Sequence, residues 1–168
     1  MVEEKNITSE AVWKILETVS DPEVPVLSII DLGIIRKIEI DANNKITLVI
    51  TPTYTGCPAM DVISMNIKMT LLENGFTNFE IKTILSPPWT TAWMSEAGKQ
   101  KLKVYGIAPP NIQQQVCTPG LFQEEEAVEC PHCNSYNTQL ISRFGSTACK
   151  ALYKCINCQE PFDYFKCH

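Results

Sequence analysis

Four cysteines near the C-terminus have the spacing of a tetrahedral metal site. Two Cys-x-x-Cys pairs, Cys130 with Cys133 and Cys155 with Cys158, are separated by 21 residues. Each pair places two sulfurs on one tight turn, and two such turns complete a tetrahedron. The spacing therefore predicts a closed structural zinc site. Iron is the alternative, because all-sulfur tetrahedra also hold iron as a single ion or as a cluster.

Further potential ligands lie close to these pairs in the sequence. Cys149, Cys167 and His168 are surplus to one tetrahedral site, so they are either packing residues or accessory ligands of a transient species. His132, inside the first pair, is predicted to be a surface residue and not a ligand. A module this short cannot bury enough apolar core to fold unaided, so a bound metal would stabilise it directly.

Cys57 is the candidate reactive residue of the N-terminal part. Pro58 suits the first position of a helix, which places Cys57 at the N-cap. A thiol there faces unpaired N–H groups and the positive end of the helix dipole, which favours the thiolate that binds metals or attacks electrophiles. The alternative is an inert, buried cysteine. A Cys-His-Asp triad is not supported, because both histidines lie in the C-terminal part.

Three carboxylates lie in a loop that contains two prolines. Asp21, Glu23 and Asp31 lie in the segment DPEVPVLSIIDLG, residues 21–33, which shows no regular periodicity. Asp side chains in such loops commonly accept hydrogen bonds from nearby backbone N–H groups. We therefore expect capping roles for these carboxylates, with participation in a site as the alternative.

The elements that must position these residues follow from hydrophobic periodicity and capping signals. The predicted elements are, in order, helix 9–19 with Thr8 as its cap, strand 34–41, strand 46–51, helix 58–74, strand 79–85 and helix 92–105. This α-β-β-α-β-α order predicts a small α/β domain with a mixed sheet. Two further strands, 138–142 and 150–154, predict a small β ribbon between the cysteine pairs.

The distribution of cysteines and the composition divide the chain into three parts. Residues 1–108 form the predicted α/β domain. Residues 109–128 contain prolines, a glutamine run and a glutamate run without periodicity, and they are predicted to be a linker. Residues 129–168 hold six of the eight cysteines and form the predicted metal-binding module.

Composition and charge exclude several classes of protein. The 168 residues carry 14 Lys and Arg against 19 Asp and Glu, a net charge of −5, which argues against nucleic acid as a partner. No apolar run approaches the roughly 18 residues of a membrane helix. The acidic start MVEEKN lacks the features of a secretory signal, so a cytoplasmic location is expected. In a reducing compartment, eight cysteines indicate metal ligands or reactive thiols and not disulfides.

The motifs resemble a known family. DPEVPVLSIIDLG and TPTYTGCP, residues 21–33 and 51–58, resemble the domain of iron–sulfur maturation factors of the bacterial SufT type. Residues 86–110 and 142–168 resemble the PaaD family of phenylacetate-degradation proteins, which joins this domain to a C-terminal zinc ribbon. The resemblance implies a role beside the multicomponent phenylacetyl-CoA epoxidase, whose reductase carries an iron–sulfur cluster and whose oxygenase carries a di-iron site. It also implies that Cys57 is the functional cysteine and that the four paired cysteines bind metal.

Three functions are compatible with these residues. The first is a maturation factor that assists iron or iron–sulfur cluster insertion into the oxygenase or reductase subunits, with Cys57 as a transient ligand. The second is a redox component of that oxygenase, with iron held by the ribbon sulfurs. The third is a zinc-stabilised, non-catalytic adaptor. Direct catalysis of epoxidation is not predicted, because a di-iron site takes a Glu-x-x-His pair from each of two helices, and the single such pattern here, Glu129 to His132, overlaps the first cysteine pair; the chain also has no GxGxxG loop.

Cys57 alone would be too few ligands for a cluster, which normally takes four protein ligands. A homodimer that supplies a second Cys57, or help from Cys117, Cys149 or Cys167, would be needed.

Overall fold

The computed structural model describes residues 8–110 and 128–166. They divide into two compact units between Trp89 and Thr90: the described residues of the first unit are 8–89, and those of the second are 90–110 and 128–166. Most of the predicted linker, residues 111–127, lies outside the described residues, as do Cys117, Cys167 and His168. Within the described ranges, no helix is long and apolar enough to cross a bilayer. The mixed α/β architecture predicted from the sequence is confirmed.

Helix α1, Ser9–Leu16, opens the first unit. Thr8 caps it as predicted, because the backbone N–H of Ala11 donates to Thr8 Oγ1 at 3.2 Å. The helix ends before the predicted residue 19. The N–H groups of Thr18 and Val19 bond to carbonyls three residues earlier, so the chain tightens into turns after Leu16.

A three-stranded mixed sheet and one crossover helix complete the regular structure of the first unit. Strand β1, Ile35–Ile40, pairs antiparallel with β2, Ile46–Ile50, and β2 pairs in parallel with β3, Phe79–Thr83. The crossover between β2 and β3 is helix α2, Ala59–Glu73. The buried core of this unit includes one face of β2 and one face of α2. The buried residues of these two faces are Ile46, Leu48, Ile50, Ile63, Ile67 and Leu71.

The second unit begins with a short 3-10 turn, Thr91–Trp93, followed by helix α3, Glu96–Tyr105. The prediction of one helix over 92–105 was wrong at its start. Ser95 has extended backbone angles and its Oγ accepts from the N–H of Gly98 at 2.9 Å, which makes Ser95 the N-cap. The helix ends as predicted at Gly106, whose φ of 90° suits glycine.

A four-stranded sheet completes the second unit, in the order β4-β7-β6-β5. The strands are β4 (Ile107–Ala108), β5 (Thr138–Ser142), β6 (Lys150–Cys155) and β7 (Pro161–Phe165). β4 is parallel to β7, and the other pairs are antiparallel. The division between the units therefore differs from the boundary predicted after residue 108. Backbone pairing of the two-residue strand β4 joins α3 and β4 to the C-terminal sheet, and two residues are too short to show a strand pattern in the sequence.

Candidate metal centre

The two cysteine pairs lie on two turns of similar backbone geometry. In the first turn, the N–H of Cys130 donates to the carbonyl of Ser135 at 2.9 Å. In the second, the N–H of Cys155 donates to the carbonyl of Glu160 at 2.9 Å. Each turn thus closes a loop of the same length around its two cysteines, so both sulfurs of a pair come from one rigid turn.

The residue that follows each pair has a left-handed backbone conformation. Asn134 has a φ of 60° and Gln159 a φ of 66°. Sequence reasoning did not predict these two positions. Asn134 carries a signal, because asparagine tolerates this conformation better than most residues, whereas Gln159 carries none. These conformations reverse the chain after each pair and direct it into the next strand.

The four sulfurs converge on one point. Sγ of Cys133 lies 3.5 Å from Sγ of Cys155, and Sγ of Cys130 lies 3.8 Å from Sγ of Cys158. All four sulfurs lie within 4.8 Å of one another. A tetrahedron with metal–sulfur bonds of about 2.3 Å has sulfur–sulfur edges of about 3.8 Å. The donor set and its spacing therefore fit a single tetrahedral ion.

The environment of the sulfurs differs from one cysteine to the next. Cys130 and Cys155 are buried, Cys158 is half-buried and Cys133 is exposed. The pKa of Cys155 is lowered to about 7, chiefly because the N–H of Cys158 donates to its sulfur at 3.5 Å. Burial raises the pKa of Cys130. Cys155 is thus the thiol best prepared to bind a cation, and the other sulfurs need the cation itself to hold their thiolates.

Helix α3 supports the first turn from within the same unit. Lys103 Nζ and Glu129 Oε1 form an ion pair at 3.0 Å, which joins the helix to the residue just before Cys130. A Cβ at Gly106 would lie 3.3 Å from Cε1 of His132. His132 is exposed, as predicted for a surface residue.

Cys149 is not part of the four-sulfur group. It is buried, and its sulfur shares a 3.0 Å hydrogen bond with the hydroxyl of Thr147. Within the described ranges, the four paired cysteines are the group that could hold an ion. Cys167 and His168, the other predicted accessory ligands, lie outside the described residues, so their role stays a prediction.

Cys57 lies in the first unit. It was predicted to be the N-cap of α2, but it lies one residue before the N-cap. Pro58 is the N-cap of the helix, and Cys57 precedes it. The carbonyl of Cys57 accepts from the N–H of Met60 at 3.2 Å, a bond of 3-10 type that tightens the entry into the helix. Gly56 has a φ of 81° and turns the chain toward Cys57, which is half-buried.

Asp21 and Asp31 accept backbone hydrogen bonds, so the predicted capping role is confirmed for both. Asp21 Oδ1 accepts from the N–H groups of Glu23 and Val24 at 2.8 and 2.7 Å. Asp31 Oδ2 accepts from the N–H and hydroxyl of Ser28 at 3.1 and 2.9 Å. These bonds fix the conformation of the loop between α1 and β1.

Sequence reasoning missed Thr51, the residue that follows β2. Its side chain is 1% exposed, and its hydroxyl has no hydrogen-bond partner among the described residues. Nothing in the pattern of the strand marks this position, because threonine is a common strand residue.

Comparisons with known proteins agree with both units. Residues 114–166 match the family described as the PaaD zinc beta ribbon domain, and residues 9–74 match the family described as iron-sulfur cluster assembly protein. The chain is 46% identical, over 93% of its length and 91% of the relative, to a protein of Escherichia coli K12 whose name assigns it to a 1,2-phenylacetyl-CoA epoxidase.

Two further relatives cover the first unit. An Fe-S protein maturation auxiliary factor of Porphyromonas gingivalis is 33% identical over 56% of this chain and 90% of its own length. The crystal structure of a domain of unknown function, DUF59, from Bacillus anthracis superposes with a TM-score of 0.53 at 30% identity, over 56% of this chain and 91% of that domain. With its assembly-type α/β unit followed by a four-cysteine ribbon, the chain belongs to the PaaD family.

Proposed function

We propose that this protein is an accessory maturation factor of a phenylacetyl-CoA epoxidase system. Similarity over nearly the whole length of the Escherichia coli relative supports an accessory role in that system. Similarity of the first unit to Fe-S maturation factors supports the finer assignment, which is assistance in iron or iron–sulfur cluster insertion into the oxygenase or reductase subunits. The observation that carries the proposal is the combination in one chain of this unit with a four-sulfur ribbon.

In this proposal the four ribbon cysteines hold zinc as a structural ion. Zinc would supply the bonds that hold the two turns together. The chain contributes the two matched turns, the N–H of Cys158 that stabilises the Cys155 thiolate, and a small buried core. Because that core is small, the metal would supply much of the stability of the ribbon.

Cys57 would be the residue that touches the cargo. It is half-buried and lies just before the start of α2. Iron or a cluster would be bound there transiently and passed to a partner subunit. The rigid entry through Gly56 and the Met60 N–H bond would hold the cysteine in place for this exchange.

A second candidate is a redox component of the oxygenase. The observation that favours it is the four-sulfur geometry, which fits iron as well as zinc. Metal and acid-labile sulfide per chain, measured on anaerobically purified protein, separate the candidates. About one zinc per chain and no sulfide is expected. Iron in the ribbon with a reversible visible absorbance change on reduction would favour the redox component and contradict the maturation proposal.

The experiment that tests the role of Cys57 is its replacement by serine. Epoxidase activity and iron content of the partner subunits are measured in cells that carry Cys57→Ser, with Thr55→Ala as the matched control in the same exposed loop. We expect partner iron content and activity to fall at least severalfold in Cys57→Ser alone. Full iron loading and activity in Cys57→Ser would refute the cargo role and favour the adaptor.

A further inference from the structure

Helix α2 carries a second apolar stripe that faces solvent. Its buried residues, Ala59, Ile63, Ile67 and Leu71, form the inner face of the helix. Four other apolar residues are about half exposed, which is unusual for side chains of this size: Val62 at 46%, Met65 at 56%, Met69 at 51% and Leu72 at 51%. These four residues are here named the outer stripe.

The outer stripe has the spacing of a helix–helix seam. Its members follow one another at intervals of three, four and three residues, the a and d positions of two heptads. At about 100° per residue, they fall within one arc on the side of α2 opposite the buried stripe. The seam is about 15 Å long. Because α2 is already held by its inner face, a partner helix would bind a preformed surface and little ordering entropy would be lost.

The charges beside the outer stripe favour a second copy of the same helix. Lys68 lies on one flank, at a g position, and Glu73 on the other, at an e position. In a parallel pair of helices, a g residue faces the e residue five positions later on the partner. Lys68 of each copy would therefore face Glu73 of the other, twice per dimer. Both side chains are exposed, and neither forms an ion pair with another residue of ranges 8–110 and 128–166.

We propose that the outer stripe is a self-association surface at which α2 of two copies pair in parallel around a two-fold axis. The contact is isologous, since each copy offers the same stripe and the same two charges. A seam of two heptads is short, so the dimer is weak and depends on concentration. Parallel pairing places the two Cys57 residues, each just before its α2, at the same end of the dimer.

The test measures the mass of the full-length, metal-loaded protein by sedimentation equilibrium from roughly 10 µM to about 1 mM, a range chosen for a weak interface. The mass is expected to rise from 18.9 kDa toward twice that value. Met69→Glu places a charge in the seam and is expected to leave a monomer throughout. Val104→Glu is the matched control, because Val104 is 89% exposed on another helix, and it should dimerise like the parent.

Charge reversal tests the parallel orientation. Lys68→Glu and Glu73→Lys each create two like-charge contacts per dimer and are expected to weaken it about tenfold. The double variant restores opposite charges in a parallel pair and should recover the parent affinity. Failure of the double variant to recover, with both single variants weakened, would overturn the parallel arrangement. A parent that stays monomeric at the highest concentration, or a Met69→Glu variant that dimerises normally, would overturn the surface itself.

Discussion

Replacement of Thr51 by valine is expected to stabilise the first unit. The hydroxyl is buried without a hydrogen-bond partner among the described residues, and such a group costs about 1–3 kcal/mol. Valine has the same branched shape and carries a methyl group in place of the hydroxyl. The backbone N–H of Thr51 still donates to the carbonyl of Ile34 at 2.9 Å, so the strand pairing is retained. We expect a gain of about 1 kcal/mol or more in the free energy of unfolding of this unit.

Native-state hydrogen exchange measures the free energy of unfolding of each unit separately. A single melting curve cannot do so for a chain with two compact units. The amides of Leu48 and Ile50 in β2 report on the first unit. Thr47→Val, on the same strand but half exposed, is the matched control and should change the free energy by less than about 0.5 kcal/mol. A loss of stability in Thr51→Val as large as the expected gain would show that the hydroxyl has a partner, and the reasoning would fail.

Three further results follow from the second unit. Gly145→Ala should destabilise it by about 1 kcal/mol or more, measured by exchange of its strand amides. The new Cβ would lie 3.3 Å from the Cβ of Lys150 and 2.7 Å from Oδ1 of Asp163, whose carboxylate is held by Ser146 and Lys150. Gly106→Ala and Gly75→Ala should each destabilise their own unit by about 1 kcal/mol, because both φ values are near 90°. Gly106→Ala should be slightly the costlier, because its Cβ would lie 3.3 Å from Cε1 of the exposed His132, which must move; equal costs would show that the imidazole moves aside without loss of stability. Zinc affinity, measured by competition with a chelator, should fall as the pH falls, because protons compete for the sulfurs, and the fall should steepen by about a further tenfold per pH unit below about 7, the pKa of Cys155. An affinity that does not change with pH would exclude thiolate ligation.

The parts of the structure that the sequence predicted are those governed by local physics. The Thr8 cap and the helix end at Gly106 depend on the preferences of single residues, and the structure has both. The alternation that predicted the hairpin reflects the buried face of β2 and the half-buried Ile38 and Ile40 of β1. The cysteine pairs identified the metal site for the same reason, because ligand spacing is fixed within each turn.

The parts that the sequence did not predict depend on contacts between distant segments. Strand β4 exists because two residues pair with β7, more than fifty positions later, and no local pattern encodes that pairing. Thr51 is a common strand residue, and only the packed structure shows that its hydroxyl is buried without a partner among the described residues. The outer stripe of α2 was visible as apolar residues, but the sequence does not show which of the two stripes faces the core.

The cores of the two units differ in a way that affects how metal removal is interpreted. In the first unit, aliphatic side chains such as Leu16, Ile46 and Ile67 are completely buried and do not involve a metal ligand. In the second unit, Cys130 and Cys155 belong to the buried core cluster itself. Removal of the metal would therefore damage the fold of the second unit together with any chemistry that it performs. Loss of epoxidase activity after chelation is therefore expected under all three functional hypotheses and does not separate them. Cys57→Ser, in contrast, changes one atom in a unit whose buried core does not involve a metal ligand. The Cys57 variant is for that reason the measurement that separates cargo transfer from scaffolding.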